Sequence, residues 1–329
     1  MKTGRKMEKN KISKKADSGQ QVLFSNEKNI ITLRKAKTKE LLCIWSFLII
    51  PLINLCIFWV YGTIQSFPIA FEHRFMDGTI KYDFYNFEYL IKTLSEPGNI
   101  FGQSILNTLI YWLLGFGFIM PFGFLMAFFL YKRIFGFKFF RFVFFFPSLI
   151  SSVIIAAFFK YIFGPGGQMP YLWEQIFGIK DVMFFADSRY AFKTLLFYNL
   201  YHGLTGQLLY WLAAYARIPE EIVEAGKIDG LSVLKEFRHI AFPLTLPFFS
   251  TMMLLNFTGI LNAGGPALLL TGGDYGTWDI PFYLYKFTTS GSLNDQGLAG
   301  AVGLFKGLIV LPFALLINKL VNRIEPVQY

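Results

Sequence analysis

Long apolar runs constrain the fold of this chain more strongly than any other feature of its sequence. A helix that crosses a bilayer needs roughly 20 predominantly apolar residues, because the hydrocarbon core is about 30 Å thick. Runs of that length cover residues 41–65, 107–131, 139–163, 191–216, 241–262 and 298–321. Only 16% of the residues are charged, against about a quarter in soluble domains. The sequence therefore predicts an all-α membrane protein with about six transmembrane helices.

Two segments qualify this simple picture. The third run, FFRFVFFFPSLISSVIIAAFFKYIF over residues 139–163, contains Pro147. A proline is tolerable in a membrane helix when neighbouring helices satisfy the freed backbone group, so we expect one helix through it. The segment Ala263–Gly297 is rich in Gly, Thr, Asp and Pro. It predicts an external connection between the fifth and sixth helices, and a partly re-entrant course is left open.

The distribution of basic residues predicts the orientation in the membrane. Residues 1–40 contain twelve Lys and Arg against four Asp and Glu, and the first apolar run follows directly. Such a basic tail is typical of the cytoplasmic side and also favours an anionic leaflet. The loops on the same side are richer in Lys and Arg for their length than the opposite loops. We therefore expect both termini in the cytoplasm, contact with membrane lipids, and no nucleic-acid partner.

Motifs for catalysis, nucleotide binding and metal binding are missing from the sequence. It has no G-x-x-x-x-G-K-[ST] phosphate loop, no H-E-x-x-H, no G-x-S-x-G and no cluster of Cys and His. Cys43 and Cys56 both lie in the first apolar run, roughly 20 Å apart along a helix, which is too far for a disulfide. We therefore expect neither an enzyme nor a resident cofactor, and energy for any work must come from another polypeptide.

The loop between the fourth and fifth runs carries the most informative motif. Residues 216–247 read ARIPEEIVEAGKIDGLSVLKEFRHIAFPLTLP. Pro219 suits the first turn of a helix, and Gly230 permits a sharp turn before a second one. Apolar side chains recur at positions 222, 225, 228, 231, 234 and 237. On these grounds alone, the loop is either an interfacial amphipathic connector or an element that docks another protein.

The order of residues in this loop resembles the EAA–G–I-LP loop of ABC importer permeases. It has Glu224-Ala225-Gly226, then Gly230, then Ile240-Ala241-Phe242-Pro243. Gly226 and Phe242 depart from the Ala and Leu that are usual in the family. The resemblance implies that residues 217–240 form a coupling helix in a cleft of an ATP-binding subunit. The positions that it marks for this role are Glu224, Ala225, Gly226, Asp229, Gly230, Ile240 and Pro243.

Further residues resemble the carbohydrate-uptake branch of these permeases, the maltose, glycerol-phosphate and multiple-sugar type. The matching stretches are Asn107-Thr108-Leu109, Phe140-Arg141 with Pro147, Asp229-Gly230 and the LLLTGGDYGT of residues 268–277. The resemblance implies a permease domain over residues 41–325 in a bacterial cytoplasmic membrane. It also implies a second homologous permease, an extracellular solute-binding protein and two ATPase subunits that hold ATP and Mg.

The fourth run is polar enough to contribute to a substrate path. Asn199, His202 and Gly206 fall on one face of a helix, and amide groups and aromatic rings suit sugars, although interhelical packing would use the same residues. By resemblance, substrate contacts are expected at Asn199 and Gly203. The further path candidates are Ser148 and Ser152 on the third run, Tyr201 and His202 on the fourth, and Asn262 near the end of the fifth.

One charge lies within the last run. Lys306 is either a side chain that snorkels to the membrane surface, which is the interpretation we favour from sequence, or a charge in the path.

Three other functions are compatible with parts of the sequence. Permeases for amino acids or peptides share the EAA loop. A secondary transporter would need coupling carboxylates in the membrane, and the six runs contain no Asp or Glu. A membrane-embedded enzyme or a structural anchor is the weakest alternative, because only the fourth run offers enough polar groups.

Overall fold

The computed structural model describes residues 41, 43–75, 79–96 and 98–321 of the chain. The predicted basic tail at residues 1–40 and the end of the predicted permease domain at residues 322–325 lie outside these residues. The chain divides into two compact units, Met1–Ser66 and Phe67–Tyr329.

The described residues are mainly helical, with one two-stranded antiparallel sheet formed by β1 (Glu72–Arg74) and β2 (Ile80–Tyr82). The helices are α1 (Cys43–Ile69), α2 (Tyr85–Leu94), α3 (Ile100–Tyr131), α4 (Phe137–Phe145), α5 (Ser152–Phe163), α6 (Gln168–Phe177), α7 (Ala191–Tyr215), α8 (Glu220–Ile228), α9 (Val233–Thr258), α10 (Ala267–Leu270), α11 (Ile280–Thr289) and α12 (Leu293–Val321).

Several of these helices are long and apolar enough to cross a membrane. In the described part of the chain four qualify, namely α1, α3, α9 and α12, and a fifth is added if α4 and α5 form one bent span. Helix α7 has 25 residues but is not among them, because polar side chains such as Asn199, His202 and Gln207 lower its hydropathy. The helical membrane fold is therefore confirmed, whereas the number six stays a prediction.

The third predicted span is not one helix, so that prediction was wrong. Helix α4 passes into a 3-10 turn, Phe146–Leu149, and the axis bends by 105° before α5 begins. Pro147 lies at the start of this turn and has no N–H to donate, and residues 150–151 are extended. The hydroxyl of Tyr198 on α7 donates to the carbonyl of Ser152 at 3.0 Å, which holds the break in place.

The fifth predicted span begins earlier than the apolar run suggested. Helix α9 starts at Val233, inside the loop of residues 217–240 that carries the EAA-like motif, and continues through a π-helical turn at Phe237–Ala241. A π turn accommodates an extra residue without ending the helix. The second half of the loop and the fifth predicted span therefore form one continuous helix. Hydropathy could not predict this continuity, because Lys235, Glu236 and Arg238 interrupt the apolar pattern.

The connection after α9 is packed against α3 rather than left loose. The side-chain amide of Asn107 donates to the carbonyls of Gly276 at 2.9 Å and Trp278 at 2.7 Å. The hydroxyl of Thr108 accepts from the backbone N–H of Ile280 at 2.9 Å. The Asn107-Thr108 pair, singled out by resemblance, thus satisfies backbone groups of this connection.

Asp279 is the second anchor of the same connection, and its side chain is 1% exposed. One carboxylate oxygen caps α11 by accepting from the N–H of Phe282 at 2.8 Å, and the other accepts from Gly265 at 2.9 Å. Burial raises the pKa of the Asp279 carboxyl, although the two backbone donors oppose that rise. The carboxylate therefore holds together two stretches of the connection.

We predict that Asp279→Ala destabilises this connection. Loss of a helix N-cap typically lowers the free energy of unfolding by about 1 kcal/mol, and the N–H of Gly265 also loses its acceptor. Asp279→Asn should cost less, because an amide oxygen can still cap α11. Thermal unfolding of the purified protein in detergent measures the difference. Asp274→Ala, at an exposed position of the same connection, is the control, and an Asp279→Ala protein as stable as that control contradicts the assignment.

Candidate functional site

The loop that carries the EAA-like motif folds as α8, a glycine turn and the start of α9. Pro219 precedes α8, and Glu220 and Glu221 lie in its first turn, where the helix dipole favours acidic side chains. Gly230 has a φ of 71°, in the left-handed region that glycine adopts without strain. The two helices therefore fold back on each other at this glycine.

One side of the loop is seated on the rest of the chain. Val223, Gly226 and Ile240 are buried, and we call these three residues the seat. Val223 and Ile240 belong to a core that includes Phe124 of α3 and Trp211 of α7. A Cβ at Gly226 would lie 2.6 Å from Cδ1 of Ile240. The absence of a side chain at Gly226 thus lets α8 approach the first turns of α9 closely.

A buried ion pair ties the loop to α3. Glu236, 4% exposed, accepts from the ammonium of Lys132 at 2.6 Å and 2.9 Å through its two carboxylate oxygens. Lys132 immediately follows the last residue of α3. Sequence analysis singled out neither Lys132 nor Glu236. They are 104 positions apart in the sequence, so no local pattern indicates the pairing.

The opposite side of the loop is exposed and partly apolar. Ile228 is 86% and Leu234 is 74% exposed, and Glu224 and Ala225 are exposed beside them. We call Glu224, Ala225, Ile228 and Leu234 the loop tip. The apolar residues predicted to form one face are thus divided, since positions 222, 231 and 237 are only partly exposed.

The two remaining predicted coupling residues flank the tip and the seat. Asp229 is exposed next to the Gly230 turn, and Pro243 is partly buried just after the π-helical turn of α9.

A separate cavity of about 370 Å³ lies between α3, α7, the end of α9 and the residues after it. Its lining is mainly amide, aromatic and glycine residues, namely Tyr111, Trp112, Gly115, Asn199, Leu255, Asn256, Gly259, Asn262, Ala263 and Gly264. Two predicted path residues, Asn199 and Asn262, therefore share one cavity. The amide of Asn199 donates to the carbonyl of Gly264 at 2.8 Å, so this side chain also positions the cavity wall.

Sequence reasoning missed the aromatic wall of the cavity. The indole N–H of Trp112 donates to the carbonyl of Asn256 at 3.0 Å, and its ring stacks on Phe116 at 5.3 Å. The hydroxyl of Tyr111 is buried without a hydrogen-bond partner among the described residues. An aromatic pair inside an apolar run gives no sequence signal that separates a cavity wall from ordinary packing.

The other path candidates are not among the residues that line this cavity in the described chain. Gly203 packs on Ile119, whose Cδ1 would lie 2.8 Å from an added Cβ. Tyr201 is half-exposed with its ring near Phe159. The ring of His202 stacks on Tyr198 with centroids 5.8 Å apart.

The two serine candidates also lie elsewhere. The hydroxyl of Ser148, in the 3-10 turn, donates to the carbonyl of Phe145 at the end of α4 at 2.7 Å. Ser152 is exposed at the start of α5.

Lys306 of α12 is not one of the lining residues, but it contacts Asn262, which is. Its ammonium donates to Oδ1 of Asn262 at 2.7 Å. In the part of the chain that the structure describes, no group of three His, Cys, Asp or Glu could hold a metal ion.

We predict that Gly226→Leu displaces α8 from its seat. Overpacking of a tight core typically costs about 1–3 kcal/mol, and Ile240 and Leu231 block the added side chain. Gly226→Ala should be close to neutral, because both blocking atoms are ends of flexible side chains and Ala favours a helix by about 1 kcal/mol.

The double variant Gly226→Leu with Ile240→Ala tests the cause, since removal of the blocking side chain should restore part of the lost stability. Thermal unfolding in detergent measures the stability of the wild-type protein and of the three Gly226 variants. Gly303→Leu is the matched control, because a Cβ at Gly303 meets no atom within 4 Å. Equal loss in the single and double variants contradicts the proposed contact.

Comparisons with known proteins agree with this geometry. The model of the family described as binding-protein-dependent transport system inner membrane component matches residues 119–327. The multiple sugar-binding transport system permease protein MsmF of Streptococcus mutans is 28% identical over 289 residues, which cover 85% of this chain and 96% of that protein. The arabinooligosaccharides transport system permease protein AraP of Bacillus subtilis is 22% identical over 273 residues, covering 82% and 85%.

A solved structure has the same fold. A chain in the crystal structure of a bacterial ABC transporter involved in the import of the acidic polysaccharide alginate superposes with a TM-score of 0.71. The superposition covers 85% of this chain and 95% of that chain at 21% sequence identity. At that identity the likeness concerns the fold alone.

Proposed function

The chain belongs to the family of binding-protein-dependent transport system inner membrane components, and from that premise we propose that it is a permease subunit of an ATP-driven importer of a sugar or oligosaccharide. The observation that carries the proposal is the loop of residues 217–240, which is seated firmly on one side and apolar on the other. Its seat fixes it to two helices that line the cavity. Its tip offers a surface to another protein.

The loop tip supports docking rather than a passive connection. Ile228 and Leu234, at 86% and 74% exposure, would each gain from burial against an apolar cleft, by about 25 cal/mol for every Å² removed from water. Glu224 at the rim adds a charge that can set orientation. The partners of this proposal are two ATPase subunits, which bind ATP and Mg, together with a second homologous permease and an extracellular solute-binding protein.

The attachments of the loop suggest how a push on it reaches the cavity. Helix α9 is continuous from Val233 to Thr258, so it links the loop directly to Asn256 in the cavity wall. Movement of the loop would reach α3 through the Glu236–Lys132 pair. Helix α3 carries Tyr111 and Trp112, which line the same cavity. Closure of the ATPase subunits would thus shift both walls together and change the population of two helix packings.

The cavity supports a saccharide as the transported solute. Amides of Asn199, Asn256 and Asn262 offer donors and acceptors for hydroxyl groups, and Trp112 offers an aromatic face. Its volume of about 370 Å³ falls in the usual range for small-molecule sites. The names of the two bacterial relatives point to saccharides too.

The proposal includes the finer topology. The chain crosses a bacterial cytoplasmic membrane six times, with both termini and the loop of residues 217–240 in the cytoplasm, and α7 as a polar span beside the path. The chain itself holds no cofactor and performs no catalysis. An importer for amino acids or peptides is the nearest alternative.

We predict that Glu224→Lys and Ile228→Glu each abolish transport and release the ATPase subunits from detergent-purified complexes. Both side chains are exposed, so folding and membrane insertion should be unchanged. Gly230→Pro should have the same effect, because proline cannot adopt the positive φ of this turn. Co-purification of the ATPase subunits and uptake in cells measure the outcome.

Lys138→Glu is the matched control, because it changes an exposed charge in the first turn of α4 on the same proposed side. Its complex should keep the ATPase subunits. If the loop-tip variants also keep them and transport normally, the loop does not dock an ATPase.

We predict that a strain deleted for this gene loses uptake of at least one radiolabelled saccharide and recovers it on complementation. Depletion of ATP should stop uptake, whereas an uncoupler that spares ATP should not. Among the lining residues of the cavity none is an Asp or Glu, which disfavours coupling to ions. Uptake that survives ATP depletion but collapses with the uncoupler would favour a secondary transporter. Loss of amino-acid or peptide uptake instead would redirect the substrate assignment.

A further inference from the structure

Lys306 is a cation near the middle of a long membrane helix. It lies eight residues after Leu298 and 15 before Val321, the ends of the last apolar run, or about 12 Å and about 22 Å from them at 1.5 Å per residue. The ammonium donates to Asn262 beside the cavity, and this contact favours a charge in the path, the alternative to the snorkelling interpretation favoured from sequence. A charge retained at this depth is costly and typically serves a function.

The ammonium of Lys306 has a neutral partner. It donates to Oδ1 of Asn262 at 2.7 Å, and no carboxylate of the described residues forms an ion pair with it. An ammonium has three donors, and an amide oxygen offers no negative charge in return. The site therefore lacks the anion that would balance it within the described chain.

Asn262 connects this cation to the cavity. Its side chain lines the cavity together with Asn199 and Asn256, and none of the lining residues is acidic or basic. The ammonium of Lys306 thus lies one hydrogen bond behind a neutral, amide-rich wall. A solute with a negative charge would find its nearest counter-charge here.

We propose that the transported solute is an anionic saccharide, and that Lys306 with Asn262 binds its negatively charged substituent. This inference rests on the proposed function and adds the charge class of the substrate. A uronate carboxylate and a sulfate ester share the required chemistry, and the lysine attracts either one as a point charge. The amides and the aromatic wall bind the uncharged part of the sugar.

The test uses uptake by the deletion strain complemented with the full gene and its variants. The probes are radiolabelled oligosaccharides in sets of matched length and linkage, one neutral, one composed of uronic acids and one sulfated. Lys306→Met removes the charge with little change in shape, Lys306→Arg keeps the charge, and Lys319→Met, at an exposed position of the same helix, is the control.

We expect wild-type cells to import an anionic probe in preference to its neutral counterpart. Lys306→Met should lower that uptake at least about tenfold, as expected for loss of one charged hydrogen bond, and leave neutral uptake unchanged or higher. Lys306→Arg should retain most of the anionic uptake, and Lys319→Met all of it. The better-imported anionic set, uronic or sulfated, identifies the substituent.

Three outcomes overturn the proposal while the sugar importer stands. One is wild-type import of neutral probes alone, and another is anionic uptake that Lys306→Met does not change. The third is equal loss of anionic and neutral uptake in Lys306→Met together with loss of the second permease on purification, which would mean that Lys306 pairs with an acidic residue of that subunit. Gene-independent uptake of every saccharide would overturn the proposed function itself.

Discussion

In an apolar membrane interior, every backbone N–H and C=O must find a partner within the protein, because no water is there to replace it. Helices satisfy this rule by themselves, and the polar side chains of this chain gather where the helices stop. Tyr198 binds the carbonyl at the break before α5, and Asn107 binds two carbonyls of the connection after α9. Asn199 and Asp279 bind backbone groups of Gly264 and Gly265. The interruptions of the helices, and hence the cavity, depend on these few bonds.

Because of these bonds, some residues that line the cavity also hold the backbone of its wall in place. Asn199 faces the cavity and also holds the carbonyl of Gly264. Trp112 contributes a ring to the wall and fixes the carbonyl of Asn256 near the end of α9. Loss of transport after substitution of such a residue would therefore not separate solute binding from the shape of the wall. Lys306 is different, since its ammonium donates to a side chain rather than to the backbone.

Sequence predicted the parts of this fold that local patterns determine. Apolar length located the four helices of the described residues that are long and apolar enough to cross a membrane, and Pro219 and Gly230 located the ends of α8. The break at Pro147 was missed because apolar residues flank it on both sides. Hydropathy therefore cannot distinguish the 105° bend from a straight helix. The Glu236–Lys132 pair could not be predicted, because it joins distant positions through packing alone. Asn199 and Asn262 were predicted separately, and only the fold brings them to one cavity.

The exposed apolar side chains of the loop tip affect the fate of the protein in the cell as well as its interactions. Ile228 and Leu234 are exposed on the loop, and large exposed apolar groups on a folded protein favour non-specific association and aggregation. Under the docking proposed above, a copy without an ATPase subunit would display these side chains to chaperones and proteases, which remove proteins with such features. The number of permease copies in the membrane would then follow the supply of ATPase subunits.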